Sequence, residues 1–196
     1  MRRREFISLL GSAAAWPLTA RAQPSDQMRR IGVLLNLSPD DPETRARLTA
    51  FREALRGFGW SEGRNLQIDY RWGMGDINRH RTNAAEIVAL APDVILVHGS
   101  TIMAPVQRAT QTVPIVFVSV ADPIAGGFVE SLSRPGSNAI GFTSSDYGMA
   151  GKWLELLKQA APEMTRVAVI RDPRQVSAGG QLGAISAVAP LLSVEL

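Results

Sequence analysis

Short aliphatic runs recur along this chain with amphipathic stretches between them, and that alternation restricts the fold more than any other feature. Arg29–Asn36 (RRIGVLLN), Val94–Val97, Ile115–Val118, Asn138–Phe142 and Arg166–Ile170 (RVAVI) have the length and apolar character of buried strands. Asn65–Trp72 (NLQIDYRW) alternates Leu66, Ile68, Tyr70 and Trp72 with polar residues, which predicts a strand near an edge. Ser193–Leu196 reads as the start of a seventh strand.

Between the strands the period changes. Leu48, Phe51, Leu55 and Phe58 share one face of a helix entered through the acidic turn Pro39-Asp40-Asp41-Pro42 and closed by Gly57 and Gly59. Further helices are predicted over 78–90 (Ala84, Ile87, Val88 and Ala91 inward), from Ser100 or Thr101 to Ala109, near 126–132, over 149–161 (Met149, Trp153, Leu156 and Ala160 inward) and over 178–191. Repeated strand–helix–strand units give the α/β class: an open parallel sheet with helices on both faces and right-handed crossovers.

The 196 residues include no cysteine, which excludes disulfides and thiolate metal sites. His80 and His98 lack metal-ligand spacing, so no metal or cofactor is expected. The formal charge is +3, and Arg2, Arg3, Arg4 and Arg21 against Glu5 account for all of it. The remaining chain is balanced, so charge makes no case for nucleic acid.

Residues 1–22 have the order of an export signal: Arg2-Arg3-Arg4, a weakly apolar stretch from Ile7 to Leu18, then Ala20-Arg21-Ala22, which places cleavage after Ala22. Arg3-Arg4-Glu5-Phe6-Ile7 matches a twin-arginine signal. The apolar stretch is well short of the ~20 residues that span a bilayer. Residues 23–28 read as a linker, and a periplasmic destination follows.

In an open α/β sheet, ligands bind beyond the carboxyl ends of the strands. The residues that follow the strands are Asn36 and Ser38; His98, Gly99, Ser100 and Thr101; Ser119, Ala121 and Asp122; Thr143, Ser144 and Ser145; Asp172 and Arg174. Hydroxyls donate and accept, and small residues admit a ligand to backbone amides. Gly99-Ser100-Thr101 is the best of these sets, although either hydroxyl serves equally to cap a helix. Asp122 is suited to orienting a ligand or to capping the turn into Pro123. His98 either faces the cleft or packs at a strand end. Tyr70 and Trp72 lie within a strand, which favours packing over stacking on a ligand. No dinucleotide loop, no phosphate loop and no Gly-x-Ser-x-Gly elbow is present, so binding is favoured over catalysis.

The leader RRREFISLLGSAAAWPLTARAQ, the segment FREALRGFGWSEGRNLQIDYRW and the stretch VPIVFVSVADPIAGGFVESLSRPGSNAIGFT together resemble the ABC transporter substrate-binding proteins of the TrpX-like type. The resemblance runs from Met1 to Leu196 and is most specific over Pro114–Thr143. It implies the type I periplasmic-binding fold, two lobes closing on a small solute such as an amino acid or related organic acid, a membrane permease, and an ATPase behind it. It maps binding positions onto Ser38, Ser100, Thr101, Asp122 and Ser144, with Asp172 from the second lobe. It divides the chain into a first lobe over 29–145 and, over 146–196, a crossover and the start of an incomplete second lobe. A truncated receptor is therefore one expectation, with Leu182, Ile185, Val188 and Leu192 short of packing partners and ligand binding by this chain weak or absent. The competing readings are a Rossmann-like small-molecule enzyme and the sensing domain of a LacI-type regulator. An export signal stands where the regulator would need its DNA-binding helices.

Overall fold

A computed structural model describes residues 28–173 and 175–196. The export signal, nearly all of the linker and Arg174 lie outside the described residues. Five strands form one sheet: β1 (Arg29–Leu35), β2 (Leu66–Trp72), β3 (Val94–His98), β4 (Ile115–Ala121) and β5 (Ala139–Ser145). Their spatial order is β2-β1-β3-β4-β5, and every neighbouring pair is parallel. Hairpins cannot join parallel strands, so helices carry the chain back: α1 (Pro42–Gly57), α2 (Ile77–Ala89) and α3 (Ser100–Ala109). Then follow α4 (Gly148–Ala160), α5 (Val176–Val188) and a 3₁₀ turn over Ala189–Leu192.

The helix ends follow local chemistry. Asp41 caps α1, accepting the Thr44 amide at 2.9 Å and the Thr44 hydroxyl at 2.7 Å. These bonds hold its carboxyl below the usual range. Asp76 caps α2 in the same way through Asn78 and Arg79. At the amino edge of the sheet, Asp93 accepts the Arg30 amide at 2.8 Å and the Arg29 guanidinium at 2.6 Å, which ties β1 to the start of β3.

Side-chain alternation sorts the sheet into two faces. Leu34, Ile95, Val97, Ile115 and Phe117 pack under α2 and α3 with Ile87, Ile102, Met103 and Val106. Val33, Leu35, Leu66 and Ile68 face the other way, against Leu48, Phe51 and Leu55 of α1. That second face is uncovered at its far end: Ile140 is 60% and Phe142 72% exposed.

Several expectations are corrected. Residues 126–132 form turns, closed by Gly126 and Phe128 amides on the carbonyls of Asp122 and Pro123. Arg166–Ile170 is not a strand: a single parallel bridge joins Arg166 to Glu195, and Ser193–Leu196 contributes nothing more. Among the described residues, neither segment pairs with the five-stranded sheet. Met149, Trp153 and Leu156 of α4 are exposed, and the buried face is Ala150, Gly151 and Leu154. Phe58 lies just past α1 and is exposed, and Ala91 is exposed past α2. The carboxy-terminal part has a small core of Leu154, Ala189 and Val194, with Ile185 and Leu192 half-buried against it. α5 buries only Ala178 completely.

Candidate functional site

The carboxyl ends of four adjacent strands, β1, β3, β4 and β5, form one rim, and five of the six candidate residues lie along it. Ser38 closes the turn after β1, its Oγ accepting the Asp40 amide at 3.2 Å. Ser100 and Thr101 do not cap α3. The cap position is Gly99, held at φ 94°, and no side chain caps it. Ser100 is buried, and its Oγ accepts the Ala121 amide at 3.0 Å, tying α3 to the end of β4. Thr101 Oγ1 donates to Gln175 Oε1 at 3.1 Å. That contact brings the loop before α5 to the rim, and with it Asp172, whose carbonyl accepts the Gln175 amide at 3.1 Å.

Asp122 is the most heavily used residue of the rim. Its carboxylate accepts the Ala125 amide at 3.0 Å and the Tyr147 amide at 3.1 Å, and its own amide donates to Ser145 at 2.8 Å. The turn-capping role is thus present, extended to the start of α4. Burial and the nearby Asp122 charge raise the Tyr147 phenol above its ordinary value.

The β4–β5 ladder is irregular at this point. Val118 pairs with Phe142, Val120 with Thr143, and Ala121 with Ser145. Ser119 is therefore extra on β4 and Ser144 extra on β5. Ser119 and Asp122 have φ of 56° and 39°, in the left-handed region that non-glycine residues rarely occupy. Bulges of this kind re-aim side chains beside functional sites. Asp122, Thr143 and Ser144 line a cavity of about 350 Å³ together with Ile124, Leu132 and Met149.

A second cavity of about 320 Å³ lies between α1 and the ends of β1, β3 and β4. Leu35, Leu48, Phe51, Leu96 and Val118 make it largely apolar, and Thr44, Arg47, His98 and Ser119 supply its polar groups. Arg47 lies 2.8 Å from His98 Nε2, which must accept because a guanidinium only donates. The other ring nitrogen, Nδ1, is buried without a partner among the described residues. Burial first and the Arg47 charge second depress the His98 pKa, so the ring is neutral. His98 thus faces a cavity, whereas Tyr70 stacks on Trp72 at 6.2 Å within β2. Arg47 was missed from the sequence although it stands one turn before Phe51 on α1. Gln175 was missed as well. Among the described residues, no group of three or more acidic, His or Cys side chains is placed to hold a metal. No helix among them is long and apolar enough to cross a membrane.

The sheet order and helix placement define an α/β lobe of the type I periplasmic-binding fold. Residues 30–191 match the family model described as ABC transporter substrate binding protein, and the chain belongs to that family. A tyrosine-binding protein from Clostridioides difficile (strain R20291) is 27% identical over 161 residues, covering 82% of this chain and 46% of the relative. Among solved structures, a conserved domain protein from Vibrio cholerae O1 biovar El Tor str. N16961 matches at 25% identity with a TM-score of 0.76, covering 87% of this chain and 56% of that one. An ABC domain from Streptococcus pneumonia, in complex with L-Trp, matches in fold at 21% identity with a TM-score of 0.73, covering 86% and 56%. The ligand-free, open form of a substrate binding protein with adhesive properties from Clostridium difficile matches at 27% identity with a TM-score of 0.61, covering 86% and 56%. The chain spans about half the length of the relatives it matches.

Proposed function

We propose that this chain forms one wall of the solute cleft in the receptor of a bacterial ABC importer. The observation that carries the reading is the gathering of Ser38, Ser100, Thr101, Asp122 and Ser144 on one rim of a parallel sheet, with the Asp172 loop brought alongside through Gln175. Those six residues are the proposed binding set. The solute is an amino acid or a related organic acid, a reading supported by the tyrosine-binding relative and the L-Trp complex. The role is capture without catalysis. The protein is exported by a leader cleaved after Ala22 and works in the periplasm, handing its solute to a membrane permease that an intracellular ATPase drives.

In this reading 29–145 is the first lobe and 146–196 begins the second. For this chain alone, which spans about half the length of its relatives, the expectation is weak or absent binding. The test is an NMR titration of the chain with each standard L-amino acid in turn. Saturable shifts confined to the rim, without turnover, are expected. Turnover of a solute, or saturable shifts that fall away from the rim, overturns the receptor reading, and micromolar affinity overturns the expectation of weak or absent binding.

A further inference from the structure

We infer that Asn36 is the amide donor this rim presents to its solute, held in that orientation by the buried imidazole of His80; the assignment rests on the receptor reading above. Asn36 follows the last residue of β1, and its Oδ1 accepts the Gly75 amide at 2.8 Å. A backbone amide only donates, so this bond decides which end of the Asn36 side chain is oxygen. His80 Nε2 lies 2.9 Å from the same Oδ1 and must therefore carry a proton. His80 is 1% exposed, and its ring lies directly over Gly73, where even a Cβ would come within 1.8 Å of it. The imidazole has no room to turn, and the oxygen of Asn36 is held by two donors.

The amide is planar, so fixing Oδ1 also fixes Nδ2. Leu35 pairs with Trp72 on one side and His98 on the other, which sets Asn36 level with Gly73 and Gly99. Its oxygen is engaged on the Gly73–Gly75 side. That leaves its nitrogen outside the clamp, and on the β3 side of the strand Gly99 leads into Ser100 and Thr101 at the start of α3. Among the described residues, Nδ2 meets no acceptor. A half-buried amide so placed offers two N–H groups to an acceptor oxygen: the carboxylate, carbonyl or hydroxyl of a solute. His80 is a positioning residue, acting through Asn36.

Asn36→Asp separates the clamp from the donor. It keeps an acceptor for Gly75 and His80 and removes both N–H groups. The expected results are an unchanged circular dichroism spectrum, a raised His80 titration because a carboxylate favours the imidazolium, and affinity for the tightest-binding L-amino acid weakened about tenfold or more. In the parent chain the Asn36 Nδ2 protons shift on adding that amino acid, and long-range ¹H–¹⁵N spectra show His80 protonated at Nε2. Rim shifts that leave the Asn36 protons unmoved, or an Asn36→Asp chain that binds as the parent does, overturn the assignment and leave the receptor reading standing. Saturable shifts confined to other parts of the sheet overturn both.

Discussion

The hydroxyl oxygen of Ser100 accepts the backbone amide of Ala121 at 3.0 Å, so the first turn of α3 is fastened to the last residue of β4 by a buried side chain. Removing that oxygen leaves a buried N–H with no partner. Ser100→Ala should cost about 1–3 kcal/mol, read as a lower midpoint in urea denaturation. Ser38→Ala, in a half-exposed turn, should stay within about 0.5 kcal/mol of the parent. Equal effects at the two serines would remove the structural distinction drawn between them.

His80 makes stability depend on pH. Burial depresses its pKa below the ordinary 6.5, and the nearby Asp76 offsets this only in part. The unfolded chain therefore binds the proton more readily than the folded chain. Its contribution is complete above 6.5 and is lost as pH falls from there toward the depressed folded value. His98 is shifted the same way, with Arg47 adding to burial and Glu43 opposing it. Urea midpoints measured from neutral to acidic pH should fall, and His80→Gln should flatten part of that fall.

Gly141 and Gly57 should respond oppositely to alanine. A Cβ at Gly141 would come within 1.9 Å of the Phe117 carbonyl oxygen, which is backbone of the neighbouring strand and cannot rotate aside. Gly141→Ala should push β5 from β4 and cost at least the ~3 kcal/mol of severe overpacking. At Gly57, the last residue of α1, a Cβ meets nothing within 4 Å. Gly57→Ala should stabilise by roughly 0.5–1 kcal/mol. Thermal melts of the two variants check the sign.

Much of this architecture is readable from period alone. The five paired strands and five α-helices fall close to the aliphatic runs and the stretches between them, because each of those five runs has a parallel neighbour to pair with. Arg166–Ile170 has the same composition but pairs at one residue only. Strand formation belongs to a pair of segments, and no run can supply its own partner. In α4 the period is right and the face wrong. The small face packs on α5, where a Cβ at Gly151 would already stand 3.0 Å from Val188, and the larger Met149–Trp153–Leu156 stripe is left outside. At the rim, topology brings the candidate residues together, yet sequence carries no sign that backbone amides occupy the oxygens of Ser100 and Asp122. Those bonds depend on strand ends meeting across the sheet.

Ile140 and Phe142 stand on the uncovered face beside Val116 and Val118 of β4. A contiguous apolar patch of this kind promotes association. Ile140→Thr combined with Phe142→Ser should lower concentration-dependent light scattering. Because both side chains are already in water, the denaturation midpoint should barely move.

Ser119 and Ser144 are each unmatched across the β4–β5 ladder, but on opposite strands, so the offset between paired residues is the same before and after them. The two strands are thereby linked in length. Deleting either serine alone closes one irregularity and leaves the other, so the segments that leave the two strands start one residue out of step with each other. Deleting both brings the two strand ends back into step, a double change that evolution or a designer could make where neither single one is tolerated.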